Sequence, residues 1–225
     1  MKRSPTPDWA MVGWTYKALH ASVTPWHNRL FVRMRVSESL PHEGAAVIVG
    51  NHSSLWDPVA LCCCSSRPIR WFGKKEVYVG PGKWFFHAVG AIPVDRSRRN
   101  PEAFEMACDA LRRGALVGLF PEGTRHVGEG IGPVRPGAAR LALETRAPVV
   151  PVGLASDKFW PKDRKVPRLN QRIFISVGEP LHIKGDPTNA DDIKQGMATI
   201  VDAIKREAAV AKAARDAPTA EWRAP

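Results

Sequence analysis

Two short stretches concentrate the residue types that proton transfer and anion binding need. In Asn51-His52-Ser53-Ser54-Leu55-Trp56-Asp57, a histidine and an aspartate stand five positions apart. A carboxylate on one imidazole nitrogen fixes the tautomer and raises the basicity of the other, the arrangement of a catalytic triad without its serine. In Phe120-Pro121-Glu122-Gly123-Thr124-Arg125, a carboxylate and a guanidinium flank a glycine. The planar fork of Arg suits phosphate, and Gly lets backbone approach a ligand closely. Each stretch also has a plainer use. Asn51 and Asp57 suit turn or capping positions, and Glu122 with Arg125 suits a surface ion pair at i+3 spacing.

Both stretches directly follow a short apolar run, AAVIVG at 45–50 and ALVGLF at 115–120. Such runs read as strands buried on both faces. His52 and Glu122 are therefore expected just past the C-terminal ends of two strands, where ligands gather in open α/β sheets. Further strands are expected at 69–72, 91–94, 148–154 and 172–177. Helices are expected at 58–65, 84–89, 101–113 and 136–146, with a long one at 189–214 whose stripe is Ile193, Met197, Ile200, Val201 and Ile204. Alternating strands and helices give an α/β class: one domain with a mostly parallel or mixed central sheet flanked by helices. The expected organisation is a polar tail at 1–8, an N-terminal amphipathic helical segment at 9–35, the main domain at 36–214 and a second tail at 215–225.

The segment 9–35 is rich in aromatic and aliphatic residues interleaved with Lys17, Arg29, Arg33 and Arg35. Trp9, Val12, Tyr16 and Leu19 recur at helical spacing, and Pro25 breaks the run, so a helix followed by a second helix or a strand is expected. Such a helix would pack on the domain, lie at a membrane interface, or do both. The stretch 127–134, with its GEGIG run, reads as a mobile loop.

The chain has 225 residues, 44% hydrophobic and 24% charged, a composition of folded proteins that excludes collagen-like chains and wholesale disorder. No run reaches ~18 consecutive apolar residues, so no spanning helix is expected. Lys and Arg exceed Asp and Glu by 33 to 22, a net charge of +11 that calls for an anionic partner: nucleic acid, lipid headgroups or a phosphorylated substrate. Cys62, Cys63, Cys64 and Cys108 make a poor disulfide framework and lack metal-ligand spacing, so they read as small apolar residues of a reducing compartment, and no metal site is expected. Residues 1–8 lack the apolar run of a signal peptide.

Taken in order, the two stretches and their neighbours resemble the glycerophospholipid acyltransferase family, the 1-acylglycerol-3-phosphate acyltransferases and their relatives. The family's NHxxxxD box stands as Asn51 to Asp57. Its second block resembles Gly73-Lys74-Lys75-Glu76-Val77, closing on Ile92-Pro93-Val94-Asp95-Arg96; its third is Phe120 to Arg125, and its fourth Val149-Val150-Pro151-Val152. The four blocks cover about residues 45–155. His126 stands where Ser is frequent, and Arg135 where relatives often carry Lys.

The resemblance implies an O-acyltransferase joining an acyl thioester to the hydroxyl of lysophosphatidate, giving phosphatidate. It implies His52 as general base, Asp57 as its orienting partner, and no acyl-enzyme. It implies acceptor binding by Glu122, Gly123, Thr124 and Arg125, with Arg96 as a second cation and Lys74 or backbone N–H groups near the oxyanion. No cofactor is implied; acyl-CoA or an acyl-carrier protein is the donor. Partners are then acyl-CoA, the lysolipid and an anionic membrane surface rather than nucleic acid, with a peripheral place on the cytoplasmic face of the cell membrane. Trp71, Phe72, Trp84, Phe85 and Phe86 are either acyl-chain lining or ordinary core. The alternatives are another lysolipid or glycolipid acceptor, a thioester hydrolase using the same pair, and a non-catalytic basic module binding membrane or nucleic acid.

Overall fold

The computed structural model describes residues 14, 16–18, 20–22, 32–36, 40–54, 56–77, 89–95, 99–125, 131–157 and 171–217. A seven-stranded mixed sheet organises them, in the order β1-β7-β6-β2-β5-β3-β4. The strands are β1 Val32–Val36, β2 Ala46–Gly50, β3 Ile69–Lys74, β4 Ile92–Val94, β5 Leu116–Leu119, β6 Val149–Ser156 and β7 Gln171–Val177. The helices are α1 Asp57–Cys63, α2 Pro101–Arg112, α3 Gly137–Thr145 and α4 Ala190–Asp216. Every pairing is parallel except β6 with β7.

The apolar runs are strands because both their faces are covered. Val47, Val49 and Val117 face a core built with Ala107, Leu111, Ala142 and Ile200 from α2, α3 and α4. Ala46, Ile48 and Leu116 face the opposite core, with Ala60 and Leu61 of α1. With helices on both faces, a strand has no polar side to show, which explains runs such as AVIVG. Pro58 and Pro101 fit the first turns of α1 and α2, where a missing N–H costs nothing. Asn189 caps α4, its side chain accepting from the N–H groups of Asp191 and Asp192.

The longest helix, α4, touches the sheet backbone to backbone. A Cβ on Gly153 of β6 would lie 2.0 Å from the carbonyl carbon of Glu207, so only glycine fits there. Glu207 fills the slot beside it, accepting from Ser176 Oγ at 2.5 Å.

Val32–Val36 forms an edge strand parallel to β7, while residues 23–31, around Pro25, lie outside the described residues. The sheet thus takes in the last residues of the segment 9–35. Upstream, Trp14, Tyr16–Ala18 and His20–Ser22 are helical. Tyr16 donates to the carbonyl oxygens of Cys62, at 2.7 Å, and Ser65, at 3.3 Å, and His20 Nε2 lies 3.2 Å from that of Cys63. Two side chains one helical turn apart therefore bond to carbonyls at the C-terminal end of α1, that of Cys62 also accepting the Ser65 N–H. Cys62 and Cys63 lie within α1, and Cys108 within α2, as free thiols. The helix expected at 84–89 falls largely outside the described residues.

Candidate active site

Parallel pairing brings the C-terminal ends of β2, β5, β3 and β4 to one edge, and the motif residues follow those ends. Asn51 continues β2 by other means. Its side chain donates to Leu154 O at 3.0 Å and accepts from Leu154 N–H at 2.8 Å. The amide group thus imitates one more backbone rung against β6, and the chain turns away immediately afterwards.

His52 begins that turn and Asp57 ends it. The imidazole Nδ1 lies 2.9 Å from Asp57 Oδ2. The same oxygen accepts the N–H groups of Ser53, at 2.8 Å, and Ser54, at 2.7 Å. Asp57 thus plays both parts left open by its sequence: it fastens the turn and orients the ring. A carboxylate only accepts, so Nδ1 carries the proton and Nε2 presents its lone pair. Nε2 has no hydrogen-bond partner among the described residues. The Asp57 side chain is 1% exposed and that of His52 15%, so the acid is sealed while the ring keeps one edge open.

The ring plane is held by stacking. His52 lies 4.2 Å from Phe120, and Phe120 lies 4.8 Å from Trp71, centroid to centroid, each pair tilted by 11°. Trp71 Nε1 donates to Cys62 Sγ at 3.3 Å. Burial pushes the Cys62 thiol up to about 12, so it stays neutral. Gly118 makes the stack possible, because a Cβ there would meet Trp71 at 2.8 Å. Neither Phe120 nor Trp71 was singled out for this role by sequence. Phe120 sits inside a motif, but no local pattern links Trp71 to a histidine nineteen positions earlier.

Glu122 is drawn into the same site. It is 6% exposed, and its Oε1 accepts the backbone N–H of His52 at 2.9 Å. Its Oε2 accepts the N–H of Gly132 at 3.1 Å. Gly123 follows in the left-handed region at φ 65°, with the Arg135 guanidinium packed over it. The backbone N–H of Arg135 donates to Pro121 O at 2.9 Å. Of the stretch expected to be a mobile loop, residues 131–134 are tethered by the bonds of Gly132 and the adjacent Arg135, and 127–130 lie outside the described residues. Thr124 is exposed and Arg125 half-buried on the same turn.

Lys74 is exposed at the end of β3, and the register sets it opposite Val94, two residues before Arg96. Arg96 itself, like His126, lies outside the described residues. Lys75 pairs with Asp95 at 2.5 Å, and Asp95 N–H donates to Asn100 Oδ1 at 2.8 Å. Phe72 packs toward the α2 face, while 84–86 lie outside the described residues. A groove of about 920 Å³ between α3 and α4 contains none of these site residues.

The arrangement offers an imidazole oriented by a buried carboxylate, and a turn carrying Arg125 that is tied to it through Glu122. The chain matches the family model described as Acyltransferase over residues 31–155. It is 31% identical over 155 residues to the 1-acyl-sn-glycerol-3-phosphate acyltransferase of Bacillus subtilis, covering 67% of this chain and 74% of that protein. It is 29% identical over 175 residues to the Pseudomonas aeruginosa protein of the same name, covering 73% and 66%. Its fold is similar to the crystal structure of the 1-acyl-sn-glycerophosphate acyltransferase PlsC from Thermotoga maritima, with TM-score 0.62 and 22% identity over 88% of this chain and 78% of that one. The chain belongs to the acyltransferase family and is an O-acyltransferase similar to the 1-acylglycerol-3-phosphate acyltransferases.

Proposed function

We propose that this enzyme transfers a fatty acyl group from acyl-CoA to the free hydroxyl of lysophosphatidate, giving phosphatidate. The observation that carries the reading is the His52–Asp57 pair, with Nε2 uncommitted beside the turn of Glu122 to Arg125. An alcohol is a weak nucleophile at neutral pH and needs a base within hydrogen-bond reach. His52 Nε2 takes the hydroxyl proton as the oxygen attacks the thioester carbonyl. The tetrahedral intermediate then collapses, the C–S bond breaks, and the imidazolium returns its proton to the leaving thiolate. No acyl-enzyme forms. In support, the Ser54 hydroxyl is buried and accepts Trp56 N–H at 3.2 Å, and the Cys62 thiol is held neutral.

Arg125 is the principal cation for the acceptor's phosphate, with Arg96 as a second and Gly123 and Thr124 shaping the turn. Lys74 lies near the donor's oxyanion or phosphates. The names of the relatives favour lysophosphatidate over other lysolipids. The acceptor lives in a bilayer, and no helix among the described residues is long and apolar enough to cross one. Residues 9–35 are the proposed docking segment on the cytoplasmic face: Trp14 is 73% exposed and Lys17 is exposed, while Tyr16 is buried against α1.

The test is thiol release from acyl-CoA with lysophosphatidate, comparing the unaltered enzyme with His52→Ala, with product identified by mass spectrometry. Acceptor-dependent phosphatidate that disappears in His52→Ala is expected. Full activity in the variant rejects the mechanism, and thioester loss indifferent to acceptor rejects the transferase assignment in favour of a hydrolase. An acceptor panel and acyl-carrier-protein thioesters settle acceptor and donor.

A further inference from the structure

Resting on the reading of His52 as the base, we infer that Glu122 is a positioning residue for His52, not a ligand of the acceptor. Its carboxylate is 6% exposed and already holds two backbone N–H groups, one on each oxygen. One belongs to His52, seventy positions away in sequence, and the other to Gly132, ten positions on. Each oxygen keeps a further acceptor site, but at 6% exposure the group presents almost no surface to an incoming substrate. Charge-assisted bonds of this kind are short and directional, so the backbone at His52 is located by Glu122 while its ring is located by Asp57.

The two carboxylates act on different parts of one residue. Asp57 sets the rotation and tautomer of the imidazole, and Phe120 sets its plane. Glu122 sets where the Cα of the base stands relative to the turn that carries Arg125. The second bond, to Gly132, ties the stretch bearing Arg135 to that same turn, next to the Arg135 N–H bond to Pro121 O. The distance between base and anion site is thus fixed by one buried side chain. A base misplaced by about 1 Å loses on the order of 100-fold in rate.

Glu122→Gln tests this. Its amide nitrogen must face one of the two N–H donors, donor against donor, with little change in volume. The measurements are kcat, KM for each substrate, and the slow acceptor-independent hydrolysis of acyl-CoA, with the thermal melt as a folding control. Expected is a fall in kcat of about 10- to 100-fold, an equal fall in hydrolysis, and unchanged KM for lysophosphatidate. An acceptor ligand behaves differently: its loss raises the acceptor KM and leaves acceptor-free hydrolysis untouched, and that result overturns the proposal. Should Glu122→Gln not fold, Glu122→Asp keeps the charge but not the reach to both donors, and the same split is read from it. Full activity in His52→Ala is a separate outcome, which removes the base itself and not only the role of Glu122.

Discussion

One oxygen of Asp57 carries three hydrogen bonds, from the imidazole and from two successive backbone N–H groups. The carbonyl oxygen of asparagine can accept the same three bonds, its amide standing where Asp57 Oδ1 has no partner among the described residues, but it carries no charge to hold the imidazolium that forms as the base takes its proton. Asp57→Asn should therefore lower kcat by ~10²–10⁴-fold, since the imidazolium loses the carboxylate that stabilises it. Steady-state rates at saturating substrates measure it. The ring stack is a lesser support. An aromatic pair contributes ~0.5–1.5 kcal/mol beyond its buried area, so Trp71→Leu should cost roughly 2- to 10-fold in kcat with KM for acyl-CoA unchanged. Cys62 makes a pH prediction. Burial raises its thiol from 9.0 to about 12, so across that window the folded chain keeps a proton the unfolded chain has released. Stability must then fall as pH rises through the window, and Cys62→Ala should flatten the fall in urea titrations.

At the scale of elements, the decisive contact is α4 on β6. The close approach at Gly153 leaves no room for a methyl group. Gly153→Ala should cost at least the upper end of the ~1–3 kcal/mol seen for overpacked cores, measured as a shift in urea midpoint. Asn51 joins the element scale to the site, since it lengthens the β2–β6 ladder by one imitated rung. This explains why Asn immediately precedes the base: the last position fixed by the sheet is the one before His52. The polar carbonyls at the end of α1 show a similar economy. They are met by Tyr16 and His20 of a helix far away in sequence, and the buried Tyr16 phenol stays un-ionised.

For the whole molecule, the net charge of +11 and the position of the site at one sheet edge fit an enzyme working against a surface of phosphates. If docking is electrostatic in part, binding to vesicles of anionic phospholipid should weaken steeply as salt rises from ~0.05 to ~0.5 M, where the Debye length shrinks below ~5 Å. Binding measured by co-sedimentation that is indifferent to salt would refute an electrostatic share. Replacing exposed Trp14 with alanine should weaken the salt-insensitive remainder.

Strands β2 to β7, and the placing of His52 and Glu122 beyond strand ends, were legible in sequence because runs buried on both faces can be nothing but apolar, whereas β1 was left open between helix and strand. The pair His52 and Asp57 was legible because five positions across one turn is a local distance. What sequence could not decide depends on residues far apart in the chain and adjacent in space. Strand order alone brings Trp71 beside Phe120 and Phe120 beside His52. Glu122, expected among acceptor ligands, has both its oxygens engaged by backbone groups of two other segments. A motif names its residues, and local spacing shows which of them lie within reach of one another. Which atom each group spends on the fold, and which it leaves for chemistry, is settled only when parallel neighbours bring separate strand ends to one edge.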